Sequence, residues 1–407
     1  MKQQVGQPEL LKEINRSRAF AILKSTRVIS RPELAQQTGL SRATANSLME
    51  DLLRVGIAQH VGLGDSTGGR PPALLEFNPR AAYAIGARMH DHLWGIVITD
   101  LDANVLHRLD VHIRGDSPEA AVDALQQGVQ TLQSRIDPSR LLPAIGLGTP
   151  GLVDVHTGVI KTAVDVGWFE VPIRAMVEER LGLRTFVANR SKVGALAEYW
   201  VGAEQGSQEI IYISIGTGVA AGIVHEGKLY LGVNSSAGEL GHITIVPNGP
   251  LCRCGNRGCL QALVSEAAIA DRARTRLREQ RNSLLWQLAD GYPERVTAVM
   301  VFQAAEQKDA LACELVTETA QYLGIAIANL INLFNPERIV LGGPVGQDSQ
   351  VLLAPLTAEV QRRAMAYPLS ATHIVTSRLG ADAGAVGAAV LVLQHASELI
   401  FAAFERS

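Results

Sequence analysis

From Tyr83 onward, short apolar strands alternate with helices at Gly-rich turns, and the pattern occurs twice. "AYAIGARMH", "LWGIVITD" and "VLHRLDVHI" read as a three-stranded meander, and a helix near 117–135 leads to the strand "AIGLGT". A similar meander recurs in "EIIYISIG" and "VAAGIVHEG", and "RIVLGG" is a further strand before a helix. Strands alternating with helices predict an α/β architecture, and the weak duplication predicts two lobes facing a cleft, where open α/β sheets bind their ligands. Residues 265–334 read as mostly helical. The run "ACELVTETAQYLGIAIANLINLFNPERIV" is a long apolar helix leading into a strand, and its Asn329 and Asn332 are expected to be buried hydrogen-bonding groups. The closing "GADAGAVGAAVLVLQHASELIFAAFE" pairs a Gly/Ala-rich helix, suited to close packing, with an amphipathic tail.

The segment before Tyr83 has a different grammar. Residues 9–24 form a helical run, after which "SRPELAQQTGLS" carries Ser30 as an N-cap, Pro32 in the first turn and Glu33 closing a capping box. Gly39 ends that helix, and Ser41 caps another in which Ala45, Leu48, Met49, Leu52 and Leu53 recur at helical spacing. That stripe leaves Arg42, Thr44, Asn46, Ser47 and Arg54 outward. Two short helices joined by a Gly-containing turn match a helix-turn-helix, although a plain helical hairpin has the same outline. The next stretch, "GIAQHVGLGDSTGGRPPALLEFN", reads as a strand, a Gly-rich tip and a returning strand, the wing of a winged helix. Its "GGRPP" presents Arg70 on stiffened, extended backbone, a form suited to a narrow minor groove, the alternative being a solvated loop charge.

Charge agrees with this division. The whole chain of 407 residues has a net charge of −3, which excludes a bulk polycation, yet residues 1–80 carry +4 and the remainder −7. Nucleic-acid contact is therefore expected to be local to the N-terminal fifth. No charged head followed by a long apolar run opens the chain, and no apolar run reaches the roughly 18–20 residues of a membrane span, so a cytoplasmic protein without membrane partners is expected.

Three of the four cysteines fall in "CRCGNRGCLQ", residues 252–261. In a reducing compartment such clustering suggests a metal or redox site rather than a disulfide framework. With His242 the spacing is His-x9-Cys-x-Cys-x4-Cys. One imidazole and three thiolates make a closed tetrahedral set, the chemistry of a structural Zn2+ with no open catalytic position. The expected ligands are His242, Cys252, Cys254 and Cys259. A redox pair fits less well, because Cys-x-Cys lacks the two-residue separation usual for one.

The motifs "GLGTPGLVD" (146–154), "IGTGVAAGIV" (215–224) and "GELGHI" (238–243), with His242 followed by the Cys cluster, resemble the ROK family of repressors and sugar kinases. The winged helix in front is similar to its repressor branch, the repressors of glucose, N-acetylglucosamine and xylose genes. The resemblance implies a two-lobed actin-like (ribonuclease-H-like, duplicated) sugar-kinase fold behind the winged helix-turn-helix. The expected divisions are residues 1–80 for DNA binding, 81–195 for the first α/β lobe, completed by a C-terminal helix at 390–407, and 196–389 for the second lobe with the zinc site and dimerisation surface.

Phosphoryl transfer needs a phosphate-cradling backbone, a metal-binding carboxylate and a base. The family's kinases carry an Asp and paired glycines where this chain reads "IGARMHDH", with Arg88 at the Asp position and His90 near the first Gly. Their catalytic Asp follows an Asn, and here "VANRSKVGALAEYW" keeps Asn189 but puts Arg190 in the base position. A guanidinium stays protonated and takes no proton at neutral pH. Only the Gly216, Thr217, Gly218 turn remains of the phosphate motifs, so no kinase activity is expected, an active fused kinase being the alternative. The resemblance implies Asn189, Glu239, His242 and the residue after "GCL", Gln261 in place of the family's Glu, for sugar binding. Arg190 beside them would admit an effector carrying phosphate or carboxylate, or would pair with Glu239 and plug the pocket. The expected function is a sugar-responsive DNA-binding repressor of carbohydrate genes. Its partners are double-stranded operator DNA and a sugar or sugar derivative. It acts as a homodimer, with a tetramer as the alternative, and places Ser41, Arg42, Thr44, Asn46 and Ser47 at the major groove and Arg70 in the minor groove.

Overall fold

The computed structural model describes residues 8–63, 72–202, 206–346 and 350–405. The chain opens with α1 (Pro8–Thr26), a short strand β1 (Val28–Ser30) and two capped helices, α2 (Arg31–Thr38) and α3 (Arg42–Arg54). Ser30 Oγ accepts the Glu33 N–H while the Glu33 carboxylate accepts the Ser30 N–H, so the capping box is closed, and those bonds hold the Glu33 carboxyl below its ordinary range. Gly39, with φ of 67°, ends α2, and Ser41 caps α3 by accepting the Thr44 N–H. Ala45, Leu48, Met49 and Leu52 are buried beneath α3. The strands β2 (Ala58–Leu63) and β3 (Ala73–Phe77) pair antiparallel, and β1 joins the far edge of β3 to give the order β1-β3-β2. This is a winged helix-turn-helix, with its tip and Arg70 outside the described residues.

A meander of β4 (Tyr83–His90), β5 (Leu93–Thr99) and β6 (Val105–His112) follows, then α4 (Pro118–Gln133) and β7 (Leu141–Thr149). Three short antiparallel strands, β8 (Leu152–Asp154), β9 (Val159–Ala163) and β10 (Trp168–Val171), form a separate small sheet. After α5 (Ile173–Leu181), β11 (Arg184–Asn189) completes a five-stranded sheet of order β11-β7-β4-β5-β6. Trp94 is fully buried on β5, and its indole N–H donates to the Ala121 carbonyl of α4 at 2.8 Å, so helix and sheet are joined by burial and by a satisfied polar group.

The second pattern begins at α6 (Arg190–Val201), capped by Asn189, and continues with β12 (Glu209–Ile215), β13 (Val219–His225) and β14 (Lys228–Leu229). Helices α7 (Gln261–Val264), α8 (Glu266–Leu277), α9 (Leu284–Leu288), α10 (Ala298–Glu306) and α11 (Ala310–Phe334) lead to β15 (Arg338–Gly342). Then come α12 (Gly343–Gly346), α13 (Gln350–Arg363), α14 (Ala366–Ser370), β16 (His373–Thr376), α15 (Ala383–Leu393) and α16 (Ala396–Phe404). The sheet runs β14-β13-β12-β15-β16, with β15 parallel to β12 and β16. Ile211, Ile213 and Ile215 of β12 share one apolar cluster with Leu323, Ile327 and Ile331 of α11. The long helix therefore has the core role its composition implied. Asn329 and Asn332 do not, because both are exposed, and Asn332 Oδ1 accepts the N–H of Met365, the residue before α14, at 3.0 Å. These positions lie on the outer face of α11, a periodicity that a nearly continuous apolar run conceals.

Contacts group the chain into two compact units, one of residues 1–147, 173–186 and 388–407, the other of 148–172 and 187–387. In the first, the winged helix joins the meander sheet through Lys24 Nζ, which donates to Leu101 O at 2.6 Å, and through the Arg27–Asp102 ion pair at 2.6 Å. Arg16 of α1 ties α3 to α16 by pairing with Asp51 at 3.0 Å and Glu405 at 2.7 Å, while its guanidinium lies 4.3 Å from the Phe401 ring centre. Among the described residues no single helix is long and apolar enough to cross a membrane. The pair α15 and α16 reaches that measure only together, bent by 55°.

Candidate functional site

The four ligand atoms of His242, Cys252, Cys254 and Cys259 lie within 4.8 Å of one another. His242 Nδ1 is 3.8 Å from Cys252 Sγ, and Cys254 Sγ is 3.7 Å from Cys259 Sγ. A tetrahedral ion with metal–sulfur bonds of about 2.3 Å sets its sulfurs roughly 3.8 Å apart, so the donor spacing suits a metal. Local structure makes the set. The Gly255 N–H donates to Cys252 O at 2.9 Å and the Cys252 N–H to Asn256 O at 2.8 Å, which folds the loop tightly on itself. Gly258 has φ of 72°, and a Cβ there would lie 1.7 Å from Val246 O, so only glycine permits the close approach that brings Cys259 beneath His242. The Asn256 N–H pulls the Cys254 thiol down, whereas burial and then the neighbouring Cys254 push Cys259 up to about 12. A metal ion binding here must displace that proton.

Beside the cluster lies a pocket of about 500 Å3 whose lining includes Asn189, Arg190, Glu239, His242 and Gln261, together with Asp165, Arg253 and Cys254. The four residues that the resemblance implies for sugar binding, Asn189, Glu239, His242 and Gln261, thus line one cavity with Arg190, and its size suits a small ligand. Asn189 caps α6, with Oδ1 accepting the Ser191 N–H at 2.8 Å and Nδ2 donating to Gly151 O at 2.6 Å. Gln261 opens α7, and its Oε1 accepts the Val219 N–H at 3.3 Å. Burial raises the Glu239 carboxyl above its ordinary value against the pull of Lys192, and burial lowers the Lys192 ammonium against the pull of Glu239. Lys192 is 3 % exposed and its ammonium donates to Ser235 O.

Arg190 does not pair with Glu239. Its Nη2 lies 3.5 Å from Asp165 Oδ2 and 3.4 Å from Thr217 Oγ1, and Asp165 Oδ1 is in turn 3.7 Å from Arg253 Nη1. The plugging pair is replaced by an Arg–Asp–Arg chain, because α6 turns Arg190 toward the loop after β9 and leaves the buried face to Lys192. Asp165, Lys192 and Arg253 were not singled out from the sequence. Lys192 is legible in hindsight, two residues after Arg190 on the same helix, and Arg253 sits between two ligands, but Asp165 has no sequence signal. Gly216, Thr217 and Gly218 form a tight hairpin turn between β12 and β13, with the Gly216 N–H donating to Gly218 O at 3.0 Å. Arg88 lies on β4, opposite Gly95 of β5.

On the winged helix, Ser41, Arg42, Thr44, Asn46 and Ser47 are all exposed on α3. Ser41 and Thr44 are 2.9 Å apart at their hydroxyls, while Arg42 has no partner among the described residues.

Residues 85–395 match the model of the ROK family. The chain belongs to the ROK family. It is 29% identical over 398 residues to the xylose repressor of Bacillus spizizenii strain W23, covering 97% of this chain and 99% of that protein. A solved structure of a ROK family transcriptional regulator, a homolog of the E. coli MLC protein, superposes with a TM-score of 0.85 at 28% identity, covering 98% of this chain and all of that one. A ROK family glucokinase from Streptomyces griseus, solved with glucose and AMPPNP, matches at 30% identity and a TM-score of 0.69 but covers only 76% of this chain. The ROK repressor and regulator therefore match nearly the whole length, whereas the ROK kinase leaves about a quarter of the chain unmatched.

Proposed function

We propose that this ROK protein is a sugar-responsive transcriptional repressor of carbohydrate genes, not a kinase. The observation that carries the reading is the end-to-end match to a xylose repressor, which covers the winged helix as well as the lobes. The chemistry of the pocket agrees. A base must accept the hydroxyl proton in phosphoryl transfer, and Arg190 at that place is a permanent cation. The exposed face of α3 offers Arg42 and Asn46, the side-chain types that read base edges and phosphates, with Ser47 beside them. Ser41 and Thr44 spend their hydroxyls on the cap and fix how the helix begins.

The residues fit Zn2+ best: three thiolates and one imidazole in a closed set favour it over harder ions. Zinc held by His242, Cys252, Cys254 and Cys259 would contribute on the order of 10 kcal/mol to folding. With Nδ1 turned to the thiols, Nε2 of His242 is the nitrogen left for a ligand in the pocket. Asn189, Glu239 and Gln261 would orient sugar hydroxyls, and the residues 1–80 would bind operator DNA from a homodimer. An effector that prefers one arrangement of the protein shifts its DNA affinity by its differential binding. Cytoplasmic location belongs to the same reading.

The test is binding of the full-length protein to genomic DNA fragments, with selection of the bound pool in the presence and absence of sugars. A palindromic site bound with steep salt dependence is expected, and Arg42→Ala should weaken it by about 10-fold or more. Indifference to DNA, or sugar-dependent ATP consumption, would overturn the reading.

A further inference from the structure

The three cysteines of the metal cluster are not equivalent. Cys252 is 4% exposed and Cys259 is fully buried, whereas Cys254 is exposed on a loop tip, residues 253–257, in which every residue is exposed. Its Sγ lies 3.7 Å from Cys259 Sγ, and Cys254 also lines the pocket, so small solutes that enter the cavity reach it. A cysteine holds a metal as its thiolate, and oxidation follows thiolate character and exposure together. Cys254 alone of the three combines both.

The loop lets one sulfur move while the other stays. Cys259 sits in a braced stretch: the Ile245 N–H donates to Gly258 O at 2.8 Å, and the Leu260 N–H donates to Ile243 O at 3.0 Å. Cys254 sits on a turn closed by the Gly255 N–H on Cys252 O, and a Cβ on Gly255 would meet nothing within 4 Å. The tip therefore has open space around it. A disulfide sets its sulfurs about 2.05 Å apart, so roughly 1.6 Å must be closed from the 3.7 Å observed, which rotation of the Cys254 side chain and a small shift of the tip supply. Four residues separate Cys254 from Cys259, but only one separates it from Cys252. That shorter loop strains a disulfide dihedral of about 90°.

We infer that Cys254 is a peroxide-reactive thiolate with Cys259 as its resolving partner, so that a hydroperoxide turns the cluster into a Cys254–Cys259 disulfide and releases the metal. This rests on the reading of the cluster as a zinc site. The Cys254 sulfur attacks one oxygen of hydrogen peroxide, the O–O bond breaks, and a sulfenic acid forms as hydroxide leaves. The Cys259 sulfur then attacks the Cys254 sulfur and expels a second hydroxide. Two electrons pass from the two sulfurs to the peroxide, and two protons from solvent turn the hydroxides into water. Zn2+ is lost unchanged in charge, because only His242 and Cys252 are left to hold it. His242 lines the pocket, so oxidation frees a ring in the wall that the metal had fixed.

The test treats full-length, zinc-loaded Cys313→Ser protein, in which the other exposed thiol is gone, with hydrogen peroxide and follows zinc with a chromogenic chelator. Zinc release should keep step with disulfide formation while circular dichroism reports a folded chain, and dithiothreitol with added Zn2+ should reverse it. Trypsin cuts after Arg253, Arg257 and Arg272, so the three cysteines fall in different peptides. Mass spectrometry should find residues 254–257 linked to residues 258–272. Cys254→His keeps a metal ligand that forms no disulfide and should slow zinc release by about 10-fold or more. A linkage through Cys252, zinc retained until the chain unfolds, or release from Cys254→His at the parent rate would each overturn the inference. A protein that takes up no zinc would bring down the metal assignment itself, and this inference with it.

Discussion

Lys24 carries a titration that reports on how the winged helix is held within its unit. Its ammonium donates to the Leu101 carbonyl, and burial, aided by the nearby Arg27 and opposed by Asp102 and Asp100, brings its pKa down from 10.5 to about 8. The folded value lies below the unfolded one, so between pH 8 and pH 10.5 the unfolded chain binds more protons than the folded chain. Stability contributed at this residue therefore rises as pH increases through that window. Chemical denaturation at pH 7.5 and at about pH 10 should show the wild type gaining on Lys24→Met by a difference on the order of 2–3 kcal/mol. Parallel pH profiles for the two proteins would mean that Lys24 is hydrated in solution. The same logic of neighbours explains His242. Its place in the four-donor cluster was legible because the other three donors fall close behind it in the chain, whereas Asp165 reaches Arg190 only through the fold.

At the level of elements, α6 is what places Asn189 and Arg190 in the pocket, and it is held there by a missing side chain. Gly222 of β13 faces the first turns of α6, where a Cβ would lie 2.4 Å from Ser191 O and 2.6 Å from Ala195 Cβ. Gly222→Val must push the helix off the sheet or strain both, at a cost of about 1–3 kcal/mol. The expected outcome is a melting temperature lower by several degrees together with weaker sugar binding. A variant melting within a degree of the parent would show that α6 can slide without cost. Elements of this kind differ in how clearly the sequence declares them. Ser30, Glu33, Gly39 and Ser41 announce α2 and α3 because caps are local chemistry, and β4, β5, β12 and β13 stand out as apolar runs between turns. The strands β1, β8, β9, β10 and β16 are three to five residues long, too short for a period to register, and they exist because neighbouring strands offer them partners. In the pocket, Asn189, Arg190, Glu239, His242 and Gln261 were legible on their motifs, whereas Asp165, Lys192 and Arg253 were not.

For the whole molecule, the proposed homodimer raises the question of what would join two winged helices on one operator. The outer end of α11 exposes Leu333 to 77%, and the start of α14, tied to it by the N–H of its cap residue Met365 on Asn332, exposes Met365 to 66% and Tyr367 to 87%. Single exposed apolar residues are ordinary, but several on two adjoining elements resemble the core of a contact surface. A homodimer of this repressor is proposed to use that face. Two linked half-site contacts gain from effective concentration, and that gain vanishes when the protomers part. Leu333→Asp combined with Tyr367→Asp is therefore expected to sediment as a monomer and to bind the operator about 100-fold more weakly. Its sugar titration should persist, since the pocket draws on Asn189, Arg190, Glu239 and Gln261 of one chain. Sedimentation velocity and operator binding read the two effects separately. A double variant that remains dimeric would move the dimer contact elsewhere, and one that is monomeric yet binds the operator undiminished would remove dimerisation from the mechanism of repression.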